Sequence, residues 1–214
     1  MNRIQIINTL IEKNNYKRYL EIGVNTPAQP GYSHESIHVE VKHGVDPNVE
    51  TTFKVPSDDF FATNTEKYDI IFVDGLHIFD QAHRDIVNSL KLLNDDGTIV
   101  VHDCNPRKEI TQRPIRASNV WHGDVWKAIL KLRMERTDIS VYTIDADEGC
   151  TVIQKGSQDL YVPLPSEGQD IYSFDFFKKH KKEILNLISI KQFKEKLSIT
   201  PTLFEKIEHF IKGY

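Results

Sequence analysis

A chain of 214 residues with 27 Lys+Arg against 31 Asp+Glu, a net charge of −4, is long enough to bury one sizeable core. Its basic residues are scattered apart from a cluster at Lys178, Lys179, Lys181 and Lys182, which argues against a nucleic-acid partner. Two cysteines, Cys104 and Cys150, build neither a disulfide framework nor a structural zinc site, and no apolar run approaches membrane-spanning length, so the expectation is a soluble cytoplasmic protein with no membrane partner.

In chain order, Ile4, Ile7, Leu10 and Ile11 fall at helical spacing and predict an amphipathic helix over 3–13. Seven short apolar segments follow as predicted strands, at 18–24, 42–47, 51–55, 68–74, 97–103, 139–145 and 149–155. Between them lie helical patterns at 78–93, with Ile86, Leu90 and Leu93 on one face, and at 125–136, with Val125, Ile129, Leu130 and Leu132. Alternating strands and helices predict an α/β, Rossmann-like fold: a seven-stranded, mostly parallel sheet with helices on both faces. Only "ADE" separates the last two segments, which suits an antiparallel hairpin at the end of that sheet, with the last strand antiparallel.

Beyond Lys155 the stretch "GSQDLYVPLPSEGQD" reads as a loop, followed by amphipathic helices at 174–197 and 202–212, the second with Phe204, Ile207, Phe210 and Ile211 in a stripe. The expected organisation is a domain over 1–155 and a helical C-terminal extension over 156–214. The extension's apolar stripe calls for the core or a second copy of the chain, a homodimer, to cover it.

Polar residues gather at the carboxyl ends of the predicted strands: Glu21 and Gly23, Asp46, Asp74 and His77, then His102, Asp103 and Asn105. One such acid is readily explained as a helix or turn cap, but four in succession point to a ligand cleft where parallel sheets bind ligands. A pyrophosphate site would need a glycine-rich turn after the first strand. Here "EIGVNTPAQPGYS" keeps one glycine in place and is interrupted by Pro27 and Pro30, which weighs against an NAD-dependent oxidoreductase. Asp46, 25 residues beyond Glu21, suits a ribose that donates both hydroxyls to one carboxylate.

"YLEIGV", "GVDP" and "VPSDDFF" together resemble the motifs of class I S-adenosylmethionine-dependent methyltransferases. The longer run "IIFVDGLHIFDQAHRDIVNSLKLLNDDGTIVVHDCNP" is similar to the branch holding macrocin-type and other sugar- or polysaccharide-linked O-methyltransferases, and the resemblance spans about residues 16–155. It implies S-adenosyl-L-methionine as cofactor, with Glu21 and Gly23 along its methionine part, Asp46 on the ribose and Ser57 or Asp58 at the adenine edge. It implies O-methylation of a sugar-containing or other small hydroxylated acceptor, a small molecule or a glycan. Ser57 equally reads as the cap of a short helix with Asp58 and Asp59 in its first turn. Two departures stand out: the glycine loop keeps only Gly23, and Leu76 stands where relatives often carry an acid or amide.

An alcohol acceptor must lose a proton, and His77 or His102 can serve as general base. His77 is preferred because the loop after Gly75 can turn it into the cleft, whereas His83 lies inside a helix. Asp74 and Asp103, with Asn105 or His102 nearby, offer hard ligands for Mg2+, which relatives bind at matching acids. The alternative puts Asp74 on the methionine amino group and Asp103 in a loop-fixing role. Trp126 is in phase with the core, while Trp121 precedes the helix that Gly123 and Asp124 begin and suits the wall of a sugar site. Arg113 and Arg116 either meet an anionic acceptor or sit in a solvated loop. A nucleoside-binding module without chemistry is the competing reading.

Overall fold

The computed structural model describes residues 1–29 and 32–199, so Pro30 and the 202–212 pattern with Phe204, Ile207, Phe210 and Ile211 lie outside the described residues. The first helix, α1 (Arg3–Asn14), opens on a reciprocal capping box between Asn2 and Gln5 and ends on Asn15 in the left-handed region (φ 54°). It buries Ile6, Ile7, Leu10 and Ile11.

Seven strands form one sheet: β1 (Arg18–Ile22), β2 (Val41–Val45), β3 (Tyr68–Val73), β4 (Leu93–Val101), β5 (Ile139–Ile144), β6 (Cys150–Lys155) and β7 (Leu187–Ile188), in the order β2-β1-β3-β4-β6-β5-β7. Every neighbouring pair is parallel except those made by β6, which runs antiparallel to both β4 and β5. The Rossmann-like fold is the one expected, and 149–155 is its antiparallel strand. Two of its members differ from expectation. Residues 51–55 make a single bridge, Phe53 to Val45, before the chain turns at Pro56 into α2 (Ser57–Thr63). The seventh strand lies instead within 174–197: Asn186, at φ 44°, splits that pattern into α5 (Phe174–Ile184), β7 and α6 (Ile190–Lys196). β7 then pairs with β5, so the β5–β6 hairpin adjoins the edge rather than forming it.

Alternation along the strands divides the core between two faces. Ile71, Val73, Ile99 and Val101 face α3 (Phe79–Leu92), α4 (Trp126–Glu135) and α5, whereas Ile70, Phe72, Val100 and Val152 share a cluster with the buried face of α1 and Phe193 of α6. Trp126 is fully buried, as its phase requires, with its ring 4.5 Å from that of Phe177 on α5. The described part of the extension is thus built into the sheet, with α5 on its first core face and Phe193 of α6 on the second. β1 leads to β2 on one side and has β3 on the other, so the order reverses beside β1, and a crevice opens beyond the strand ends there.

If α5 belongs to the core, Phe177→Ala should cost about 3–5 kcal/mol in urea unfolding with one cooperative transition retained. A loss under about 1 kcal/mol would show that the extension is peripheral.

Candidate functional site

The crevice is a cavity of about 910 Å³ whose walls come from the ends of β1, β2, β3 and β4, the start of α2, the inner turn of α3 and the loop before α4. Gly23 holds these strand ends together. It sits at φ 87°, and a Cβ there would run into the backbone of Asp74 and Gly75. The close approach is fixed by hydrogen bonds from Gly23 N to Val45 O and from Asp74 N to Ile22 O, both 2.9 Å. Glu21 lines the cavity but is buried, and its carboxylate accepts Ser33 Oγ (2.9 Å), Tyr19 Oη (3.0 Å) and His34 Nδ1 (2.6 Å). Asp46 accepts the N–H of Asn48 (2.8 Å), which fixes its carboxylate at the rim.

Ser57 departs from the capping expectation: Pro56 is the cap residue, and Ser57 Oγ instead donates to Asp85 Oδ1 (2.8 Å). Gln81 Nε2 joins Ser57, Asp58 and Asp85 into one polar edge of the cavity. Asp85 is almost fully buried, and burial pushes its carboxyl up to about 6, against the hydrogen bonds from Ser57 and Gln81. Sequence reasoning missed it, although an Asp beside Ile86 on the apolar face of a helix was a visible signal.

At the far wall the structure gathers acids and imidazoles. Asp74 Oδ2 accepts Arg3 Nη1 (2.9 Å), and its Oδ1 lies 3.2 Å from His77 Nε2 and 3.4 Å from His102 Nδ1. Asp103 Oδ2 is 3.2 Å from His77 Nδ1, and its Oδ1 is 3.3 Å from His102 Nδ1. The Nδ1 of His77 donates to the carbonyl of Trp121 (3.1 Å), and the two rings stack at 5.1 Å. Gly123, at φ 57°, permits this approach, because a Cβ there would strike the backbone of His77. Behind the wall, Asp147 in the β5–β6 turn accepts the backbone N–H (2.7 Å) and Nε (2.9 Å) of Arg3. His122 Nε2 pairs with Glu148 at 2.8 Å.

These contacts set the charges. Burial alone would push the His77 and His102 imidazoliums down, but Asp74 and the other carboxylates around them outweigh it and raise both. For Asp74 and Asp147 burial acts upward, and the imidazoles, with Arg3 for Asp147, overcome it and hold both carboxylates below the ordinary range.

Glu21, Gly23, Asp46, Ser57, Asp58, Asp74, His77, His102 and Asp103 all line the one cavity. Asn105 does not. Asp103 adopts φ 60° and turns the chain away, so that Cys104 and Asn105 bond through their backbone N–H groups to the β5–β6 turn. The Asn105 side chain donates to Asp145 (3.0 Å) and accepts from Lys181 (3.3 Å), which removes it from the proposed metal ligands. Asp124 also differs from expectation: α4 begins at Trp126, and Asp124 Oδ1 accepts the N–H of Phe79 (2.7 Å), capping α3. Trp121 and Arg116 line the mouth, while Arg113 offers its carbonyl to Trp121 Nε1 (2.7 Å). Leu76 is half exposed at the same mouth, and His83 lies outside the cavity. Arg3, Asp85, Asp147 and His122 are the members that the strand-end pattern passed over.

The residues fit a divalent cation. Asp74, His102 and Asp103 each place one ligand atom within 4.8 Å of the others, and His102, only 3% exposed, has neither ring nitrogen in a hydrogen bond among the described residues. A buried imidazole nitrogen within 3.3–3.4 Å of two carboxylate oxygens is the mixed nitrogen–oxygen donor set that suits such an ion.

With this geometry in place, residues 7–104, from α1 to just past β4, match the model of a family described as "Methyltransferase domain". No curated protein matches the chain. Among solved structures, an SAH-bound methyltransferase of Podospora anserina is 21% identical, with 73% of this chain and 80% of that one covered at a TM-score of 0.52. An O-methyltransferase from Bacillus cereus in complex with SAH is 14% identical, with 72% and 82% covered at 0.51. The chain shares its fold with these proteins. Among the described residues no helix is long and apolar enough to cross a membrane.

Asp85 yields a pH test. Its folded-state value lies above the ordinary 3.8, so the stability linked to its protonated form is complete at low pH and is lost as pH rises through about 6. Thermal or urea unfolding should show the wild type losing up to about 3 kcal/mol between roughly pH 4 and 6 relative to Asp85→Asn. Parallel pH profiles for the two proteins would contradict this.

Proposed function

We propose that the protein is an S-adenosylmethionine-dependent O-methyltransferase acting on a sugar-containing or other small hydroxylated acceptor, with a divalent cation at Asp74 and Asp103. The observation that carries this reading is one cavity beside the strand-order reversal that holds both Asp46 on its rim and the Asp74–His77–Asp103 group on its wall. The family match over 7–104 supports the same reading.

In this reading the Asp46 carboxylate takes the ribose hydroxyls, and the edge made by Ser57, Asp58, Gln81 and Asp85 faces adenine. Gly23 and Asp74 would hold the methionine part. The excess of acids over Arg3 and Arg116 along the walls suits a ligand carrying a sulfonium and an ammonium charge. S-adenosylmethionine bound there would supply its methyl group to an acceptor oxygen held in line with the S–CH3 bond, with S-adenosylhomocysteine as the product. The Nδ1–H of His77 donates to the Trp121 carbonyl, so Nε2, which in its protonated form hydrogen-bonds to Asp74 Oδ1 at 3.2 Å, is the atom that takes the acceptor's proton once the imidazole is neutral. The stacked Trp121 ring fixes that imidazole and extends the wall against which a sugar ring can lie. A cation held by Asp74 and Asp103 would orient two acceptor oxygens and make one of them easier to deprotonate. Arg116 at the mouth suits an anionic acceptor. The proposed partners are therefore small molecules or glycans in the cytoplasm, and neither nucleic acid nor membrane.

A binding module without turnover is favoured by Leu76, an apolar side chain half exposed at the mouth where relatives of the resembling branch often carry an acid or amide. Turnover separates the two readings.

Calorimetric titration should give micromolar binding of S-adenosylhomocysteine and no heat with NAD, and Asp46→Ala should weaken the former by about tenfold or more. No heat with S-adenosylhomocysteine would sink the proposal. With an acceptor found, His77→Gln should lower kcat by roughly 10²–10⁴. The wild-type rate should climb only as pH passes above 6.5, the ordinary histidine value, because the proton acceptor must be neutral.

A further inference from the structure

We propose that His102 is a direct nitrogen ligand in the cation site, through Nδ1, and that the site therefore selects a borderline transition ion of the Fe2+, Co2+ or Zn2+ class over Mg2+. This rests on the cation reading above and gives that ion a chemical class.

The geometry points to the imidazole first. His102 Nδ1 lies 3.4 Å from Asp74 Oδ1 and 3.3 Å from Asp103 Oδ1 and hydrogen-bonds to neither. Ligand atoms about 2.0–2.1 Å from a shared ion stand about 3.0 Å apart along an octahedral edge and about 3.4 Å apart along a tetrahedral one. The observed spacings match ligand-to-ligand separations around one ion. On the opposite side of the ring, Nε2 is 3.4 Å from Asp147 Oδ2, and Arg3 fixes that carboxylate through two donors. A carboxylate behind the far nitrogen of a ligating histidine sets the ring's tautomer and orientation, so Nε2 carries the hydrogen and Nδ1 offers its lone pair.

A second grouping, His102 with Asp147 and Cys150, shares the same imidazole. It makes the poorer site, because the Asp147 oxygen that faces the imidazole, Oδ2, already accepts both Arg3 donors, whereas Asp74 meets Arg3 through Oδ2 and leaves Oδ1 facing the ring. Burial also pushes the fully buried Cys150 thiol up to about 12, which keeps it from being a thiolate.

Chemistry then decides the ion. Mg2+ takes oxygen ligands in a near-ideal octahedron and keeps several waters, whereas imidazole suits Zn2+, Fe2+ and their neighbours. One buried nitrogen between two carboxylates penalises the first and favours the second.

The test uses the full chain stripped with chelator and titrated with ZnCl2, CoCl2 and MgCl2, beside heteronuclear NMR of the histidine ring nitrogens and a parallel S-adenosylhomocysteine titration. Zn2+ should bind at least about a hundredfold tighter than Mg2+, and His102→Glu should cut that ratio by about tenfold or more. Zn2+, but not Mg2+, should move the ring-nitrogen resonance that disappears in His102→Gln, which also serves as the second variant should His102→Glu fail to fold. Equal affinity for Mg2+ and Zn2+, or an unmoved His102 resonance in the Zn2+-bound protein, overturns the proposal. A folded chain that binds S-adenosylhomocysteine but no metal overturns it and leaves the methyltransferase reading standing. Zn2+ binding at His102 without nucleoside binding does the reverse.

Discussion

Three carboxylates, Asp74, Asp103 and Asp147, share one buried end of the sheet with His102, and the arrangement of that end depends on how their charge is balanced. Unpaired buried charge is very costly, so each acid must find a cation or a donor. Arg3 reaches in from the first turn of α1 to join Asp74 to Asp147, while His77 closes the gap between Asp74 and Asp103. The helix that opens the chain is thereby tied to a turn 144 residues away, and the cavity wall becomes a network whose members rely on one another.

Backbone conformation makes the network reachable. Asp103, Asp147 and Glu148 all occupy the left-handed region, and with Gly149 at φ 92° they fold the end of β4 and the β5–β6 turn against each other. Such conformations cost of order 1–3 kcal/mol apiece for residues with side chains, and they persist where the surroundings over-determine them. Here the surroundings are two backbone hydrogen bonds, from Cys104 N to Gly149 O and from Asn105 N to Glu148 O. Gly23 plays the corresponding part at β1, where no side chain fits between the strand ends.

Much of this was legible in the chain itself, because period and strand-end chemistry are local properties. The apolar runs of β1, β3, β4 and β6, the faces of α1, α3 and α4, and the acids closing successive strands could all be read from spacing, as could the burial of Trp126. What escaped depends on contacts distant in sequence. Arg3 and Asp147 look like ordinary surface residues until the fold joins them. Two-residue β7 is too short to carry a period, and Asn186 breaks a helical pattern through one dihedral angle. Asn105 fell to the reversal at Asp103, and Ser57 turned from its own helix to Asp85 on α3 because a buried carboxyl needed a donor more than the helix end did.

The proposed nucleoside-cofactor site in the crevice beyond β1, β2 and β3 is tested most directly by amide hydrogen exchange with and without S-adenosylhomocysteine. A ligand seated there slows exchange only in the backbone around Gly23, 46–48, 57–58 and 74–77. Binding that leaves these segments unprotected while slowing exchange elsewhere would contradict it.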